Sequence, residues 1–487
     1  MKFAISSEIA RVADELENAG FEAYLVGGCV RDLIIGKAPK DWDFTTNASP
    51  EEIQKIFPDS FYENDYGTVG VKTGSEDPAL AIIEVTPYRK EGTYSDARRP
   101  DSVEFGVSLE EDLNRRDFTV NAIAYRPKND SLVDNHGGHE DIKKRLIRAV
   151  GEPRPRFEED ALRMMRAIRL SAELGFAIES ETASAIYETA DNLAKIAKER
   201  IRDEFVRILE TKEPMAALAL AQKLGLLKYI APDLERGIGI DQNQAHSYDV
   251  YEHNLRSMQH AADKGWPTVI RLSALFHDIS KPEVRKWSDE KKDWTFHGHE
   301  VVGARVAKKA LEELRFPKEI IDKSRKLIRW HMFFSDPDQV TLSAVRRIIT
   351  NVGVENIQDL LNLRICDRIG TGRPKEQPFR LRKYMAMVDE AMRDPISVGM
   401  LKVDGNDLMN DVGEKPGPRI GWILHALLGE VLEDPEKNTK EYLIEKGRVL
   451  SKMENSVLKE MGESGKGARE EAEGEELLKI RSKHHVD

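Results

Sequence analysis

At 487 residues and 40% hydrophobic content the chain can hold about three or four domains with real cores, and its net charge of −12 excludes a uniformly basic nucleic-acid binder. Two cysteines, Cys29 and Cys366, supply neither a disulfide framework nor a CxxC metal site, which fits a reducing cytoplasm. No apolar run approaches the ~18 residues a membrane span needs, so no membrane partner is expected.

The first twenty residues carry Glu8, Arg11, Asp14 and Glu15 among apolar positions, which makes an amphipathic helix rather than a signal segment. LVGGCVRDLIIGKAPKDWDF follows, from Leu25 to Phe44. It reads as a strand ending at Val26, a turn at Gly27 and Gly28, a short helix from about Val30 to Ile35, and a loop that delivers Asp41 and Asp43. Residues two apart on an extended segment face the same way, so these carboxylates can share divalent cations while Trp42 and Phe44 pack behind them. Gly27 and Gly28 leave the backbone open to a phosphate, and Arg31 adds a positive fork.

This GG, VRD and DxD pattern resembles the first motif of the polymerase β-like nucleotidyltransferases, specifically the bacterial and eukaryotic class of CCA-adding tRNA nucleotidyltransferases and their poly(A) polymerase relatives. The resemblance implies catalytic, Mg2+-binding roles for Asp41 and Asp43, CTP and ATP as nucleotides and tRNA as partner. A third carboxylate is expected on a neighbouring strand, with Glu84 the candidate.

SPEEIQKIFP reads as a helix with Ser49 as its N-cap and Pro50 at its first position; GTVGVKTG and LAIIEVTPYR read as strands. EGTYSDARRPDSVEFG is a polar connection that matches the loop with which the family switches from C to A addition. In RRDFTVNAIAY, which looks like the second motif, Arg115 and Arg116 offer charge to a triphosphate and Asn121 a two-way amide. VDNHGGHEDI follows the pattern of the third, a turn leading to a hinge.

Between Ile142 and Arg169 nine Lys or Arg face four acids, so the basic surface absent from the whole chain is concentrated there. Arg163, Arg166 and Arg169 recur every three residues along one side of a helix, with Asp160 one turn before Arg163. Such Asp-Arg pairs are common on helices, but this one matches the EDxxR motif of the family. Cytosine and adenine both show an amino donor beside a ring-nitrogen acceptor. Asp160 can accept from the amino group and Arg163 can donate to the ring nitrogen, whereas uracil and guanine would present like to like. Arg200 and Glu204 in AKERIRDEFVRILE resemble the fifth motif and read as structural.

Histidines then become frequent, at 246, 253, 260, 277, 297, 299 and 331. The HD pair in RLSALFHDISKP, with His253 upstream and Asp367 downstream, resembles the HD phosphohydrolase domain; His299 and His331 fit its second-metal positions. The resemblance implies ligation by His253, His277, Asp278, His299, His331 and Asp367, with Lys281 suited to a phosphate oxygen. Imidazole and carboxylate ligands suit a transition metal such as Mn2+, Ni2+ or Co2+. GEKPGPRIGW resembles a segment near the end of the family's helical body.

The expected architecture is multidomain and mostly α. An α/β polymerase β-like head (1–150) precedes an all-α nucleotide-recognition neck (151–232), an HD phosphohydrolase domain (233–375), a helical RNA-binding body (376–455) and a Gly- and Glu-rich mobile tail (456–487). The activity implied is template-independent CCA addition to tRNA 3′ ends, with an HD phosphodiesterase or phosphatase acting in end repair. Two rivals share the features: an A-adding enzyme or poly(A) polymerase, and a metal phosphohydrolase whose head merely grips RNA.

Overall fold

The structure, a computed structural model, describes residues 2–62, 67–92, 103–243, 246–333, 340–393 and 396–486. The chain divides into two units, one of residues 1–331 with 362–374 and one of 332–361 with 375–487. Most of it is helical, and the extended segments concentrate in the first 150 residues. Among the described residues no helix is long and apolar enough to cross a membrane.

In the first unit the helix Ser7–Asn18 is capped by Ser6, whose hydroxyl accepts from the Ile9 N–H, and it buries Ile9, Val12, Ala13 and Leu16. Nine strands follow: β1 Tyr24–Val26, β2 Asp43–Thr46, β3 Ser60–Tyr62, β4 Val69–Lys72, β5 Ile82–Pro87, β6 Arg89–Glu91, β7 Val103–Phe105, β8 Ala124–Arg126 and β9 Ser131–Val133. Seven form one sheet in the order β3-β4-β5-β2-β1-β8-β9, and β6 pairs with β7 in a separate ribbon. The segment expected to switch nucleotide addition falls largely on residues 93–102, outside the described residues.

Only β2 and β5 pair in parallel within that sheet, and their register sets Asp43 opposite Glu84. Leu25, Phe44, Ile83 and Val85 are sealed in the core, so a one-residue slip would expose them; burial thereby fixes where the carboxylates emerge. The helix Pro50–Ile56 starts at the Ser49 N-cap and Pro50 that its sequence predicts, and Glu52 completes a capping box there.

The HD region is built from the helices Val250–Asp263, Thr268–Phe276, His299–Glu313, Lys318–Trp330 and Ile357–Gly370. Residues 332–361 group with the second unit, and residues 362–374 group with the first.

In the second unit Leu408, Ile423, Leu427, Leu443 and Leu458 centre the core. The segment expected as a mobile tail is corrected here: Asn455–Lys483 is one 29-residue helix. Its glycines suggest disorder by composition, but two of them serve a close helix crossing against Pro418–Glu433. A Cβ on Gly465 would stand 2.0 Å from the His425 carbonyl oxygen, and one on Gly462 would stand 2.8 Å from Trp422 Cα. Gly429 meets Gly465 directly. Absent side chains let the backbones approach, and that packing offsets the ~1 kcal/mol each glycine costs a helix.

Candidate active sites

The strand β1 ends at Val26, and Gly27 turns the chain with φ +81° into the helix Gly28–Ile35. Of the two expected glycines, Gly27 is the one packed against the corner. A Cβ on Gly27 would lie 3.3 Å from the Arg116 guanidinium and 3.6 Å from an Asp43 oxygen, whereas one on Gly28 meets only ordinary contact with Arg31. Gly27, Arg116 and Asp43 therefore share one corner. Asp41 is exposed and Asp43 half-buried, while Trp42 and Phe44 are buried behind them. Glu84, exposed and in register with Asp43 on a parallel strand, points to the same face.

Arg31 is a fixed fork: it donates to Asn121 Oδ1 at 2.8 Å and to Asp32 Oδ1 at 2.9 and 2.8 Å. Asn121 donates in turn to Asp117 at 3.4 Å, and Asp117 pairs with Arg166 at 2.8 Å. Burial works against ionised Asp117, but Arg166 and Arg163 outweigh it and hold the carboxyl below its ordinary value. Asp112 is likewise depressed against its burial by Arg116 and Arg115. Neither aspartate was expected at the site. Asp117 stood inside RRDFTVN and was legible there as the one acid that could anchor those cations.

The neck rearranges the expected base-reading pair. Asp160 precedes the helix Leu162–Leu174, accepting from the Leu162 N–H at 3.1 Å and from Arg200 at 2.9 Å. Arg163 is held by Glu159 at 2.6 Å, so it and Asp160 are close in sequence but partnered elsewhere. Arg166 remains half-exposed. Arg169 lies in a buttress with Glu204 at 2.9 Å and Glu173 at 3.0 Å. Arg200 and Glu204, read as structural, each hold a residue of the expected pocket.

In the HD region the six expected ligands converge on Asp278. One Asp278 oxygen lies 3.1 Å from His253 Nε2 and 3.3 Å from His277 Nε2; the other lies 3.2 Å from His299 Nε2 and 3.7 Å from His331 Nε2. Asp367 joins the first group, 3.5 Å from His253 and 3.7 Å from His277. His246, missing from the expected set, groups with His253, Asp278 and Asp367. Its signal in the sequence was its position at the start of the histidine run.

Local geometry fixes which nitrogens face inward. His277 and His331 each follow the last residue of a helix, and their Nδ1–H groups turn back to the carbonyls of Ala274 at 2.8 Å and Ile328 at 2.7 Å. His299 Nδ1 does the same to Phe296 at 2.7 Å. The outward donors of His277, His299 and His331 turn their Nε2 atoms inward, where His253 Nε2 lies 3.0 Å from His277 Nε2 and His299 Nε2 lies 3.3 Å from His331 Nε2, with carboxylate oxygens close by.

Acceptors that converge on acceptors in a sealed site call for cations. Both Asp278 oxygens are buried without a well-directed hydrogen bond, although Lys281 Nζ stands 2.5 Å from one. Burial disfavours charge on His331 and brings it down to about 4. Burial also opposes charge on His277, but Asp278 and Asp367 prevail and lift it to about 10. The donor set, imidazoles with two shared carboxylates, fits divalent transition ions.

Comparison with known proteins gives three family matches: the poly A polymerase head domain over residues 23–148, the probable RNA and SrmB-binding site of polymerase A over 175–238, and the HD domain over 246–369. A CCA-adding enzyme of Geobacillus thermodenitrificans is 33% identical over 455 residues, which span 90% of this chain and 96% of that one. One of Leuconostoc mesenteroides is 43% identical over 264 residues, 52% of this chain and 63% of that one. Among solved structures, the Bacillus stearothermophilus CCA-adding enzyme in complex with CTP matches with a TM-score of 0.57 and 28% identity, over 91% of this chain and 99% of that one.

Proposed function

Because the chain belongs to the family of CCA-adding enzymes, we propose that it adds C, C and A in turn to tRNA 3′ ends from CTP and ATP, and that its HD region hydrolyses phosphate esters at such ends. The observation that carries the first part is the corner shared by Gly27, Asp43 and Arg116, with Glu84 in register. Carboxylates beside an anchored guanidinium suit a triphosphate with its cations.

Asp41 and Asp43, with Glu84 beside them, would hold Mg2+ in the head; His253, His277, Asp278, His299, His331 and Asp367 would hold Mn2+, Ni2+ or Co2+ in the HD region. Bound there, the cations would supply Lewis acidity, to the triphosphate in the head and to a phosphate ester in the HD region. In the head the primer 3′-oxygen attacks the α-phosphorus in line, forming a phosphodiester and expelling pyrophosphate. Arg116 and Arg31 lie where charge on that triphosphate needs compensation, and Asn121 keeps Arg31 aimed.

Selection of C and A over U and G rests in this reading on Asp160 and Arg163. Arg163 would exchange Glu159 for the ring nitrogen, while Arg200 and the Leu162 N–H keep Asp160 aimed. In the HD region Lys281, held by Asp278 and by Gln242 at 2.6 Å, is positioned for a phosphate oxygen. Division of labour along the chain would follow the head at 1–150, neck at 151–232, HD domain at 233–375 and an RNA-binding body beyond.

The test is an incorporation gel on tRNA lacking its last three residues, with each NTP offered singly and in pairs. The expected products are two additions with CTP alone and three with CTP and ATP. A long A ladder, or addition of A alone, would move the reading to a poly(A) polymerase or A-adding enzyme.

A further inference from the structure

Between the HD aspartate and His299 the chain makes a small two-stranded hairpin, Lys286–Ser288 paired with Asp293–Thr295. A hairpin of this size is marginal by itself. Trp287 and Trp294 are direct cross-strand partners with ring centroids 5.2 Å apart, and the Arg285 guanidinium lies 3.6 Å from the Trp294 ring centroid. The inner tryptophan is thereby covered, by Arg285 and by Trp287. The outer one, Trp287, stays 52% exposed, with Lys286 exposed beside it.

The hairpin lies in the chain between Lys281 and His299, and its second end reaches the buried histidine cluster. Its first strand follows directly on the short helix that opens with Lys281. Its second strand runs into Phe296, whose carbonyl accepts from His299 Nδ1 at 2.7 Å and whose ring centroid lies 5.3 Å from Lys281 Nζ. Aromatic residues 287, 294 and 296 thus lead from solvent to the amine suited to a phosphate oxygen. An exposed indole beside cations, tied to a phosphate-directed lysine, matches a base joined through ribose to phosphate. Base stacking on an aromatic ring is sequence-tolerant.

We propose that Trp287 is a stacking platform for the nucleobase next to the phosphate that the HD region hydrolyses, making that site selective for nucleotide over simple phosphate esters. This deepens the hydrolase reading above and rests on it for the substrate class. The platform acts as a positioning surface: Trp287 holds the base and makes no bond to the reacting phosphate.

The direct test is 19F NMR of the full chain carrying 5-fluorotryptophan, with the Trp287 resonance assigned from its loss in Trp287→Phe. Titration with 2′,3′-cyclic AMP is expected to move that resonance, whereas glycerol 2-phosphate leaves it in place. In parallel, Trp287→Ala should raise KM for 2′,3′-cyclic AMP about tenfold with little change in kcat. Turnover of glycerol 2-phosphate should stay unchanged, and Trp287→Phe should restore the nucleotide KM. An unmoved Trp287 resonance, or equal loss on both substrates, overturns the platform. Absence of hydrolysis by the unmodified protein with every metal overturns the hydrolase reading instead, and the 19F shift still decides the platform.

Discussion

The head and the HD region place their carboxylates in opposite settings: among the described residues, groups close enough to hold a metal ion form in the HD region and none forms in the head. In the head Asp41 is exposed, Asp43 is half-buried, and no imidazole stands near among the described residues. In the HD region His253, His277 and His331 are wholly sealed, and Asp278 is 1% exposed. On the proposed reading the head would offer too few ligands to surround Mg2+, so the substrate's own phosphates would complete the shell. The HD cage would supply a full set from protein, at the cost of desolvating two carboxylates, and would hold its ion without substrate.

The largest expected effect breaks the comparison on the head side. Asp41→Ala or Asp43→Ala should reduce nucleotide addition by on the order of a thousandfold or more, while HD hydrolysis and melting temperature stay as they were. Near-wild-type addition by either variant would remove the metal role from that corner.

Selectivity comes next. Asp160→Ala should lower discrimination against UTP and GTP by roughly a hundredfold, because the acceptor for the exocyclic amine is lost. Unchanged relative rates for the four nucleotides would leave Asp160 as a partner of Arg200 alone.

Metal loading sharpens the contrast between the sites. Mn2+, Ni2+ or Co2+ at about a hundred times its dissociation constant should raise the melting temperature by roughly 5 °C through the HD cage. Asp278→Ala should abolish that shift, and Mg2+ without nucleotide should produce little.

A smaller effect tests the long C-terminal helix. Gly465→Ala should destabilise the second unit by about 1–3 kcal/mol, because its Cβ would collide with the His425 carbonyl. A melt indistinguishable from the parent's would argue against the close crossing.

The smallest concerns acid. The folded-state pKa of Asp117 is depressed, so its contribution is present above the unfolded value of about 3.9 and fades as pH falls through the folded one. In Asp117→Asn, unfolding free energy should depend less steeply on pH below about 4.

Much of the head was legible because its signals are local. Ser49 caps a helix by adjacency, and Trp42 and Phe44 are buried behind the aspartates as the alternation predicts. The HD ligands were legible as residue types and, through the family resemblance, as two groups bridged by Asp278; residue spacing alone could not show that convergence, which depends on packing between helices far apart in sequence. The partners of Asp160 and Arg163 were hidden for a related reason: Arg200 arrives from a helix forty residues away. Gly462 and Gly465 misled because composition cannot distinguish a glycine that frees the chain from one that admits a neighbouring helix.

The coupling of the two sites is tested most directly with tRNA lacking CCA and ending in a 2′,3′-cyclic phosphate, given CTP, ATP, Mg2+ and a transition metal. The account predicts that the wild-type chain extends this tRNA by three residues, whereas Asp278→Asn extends only tRNA ending in free hydroxyls. Failure of the wild type to extend the cyclic-phosphate end, or equal extension of it by Asp278→Asn, would contradict the account.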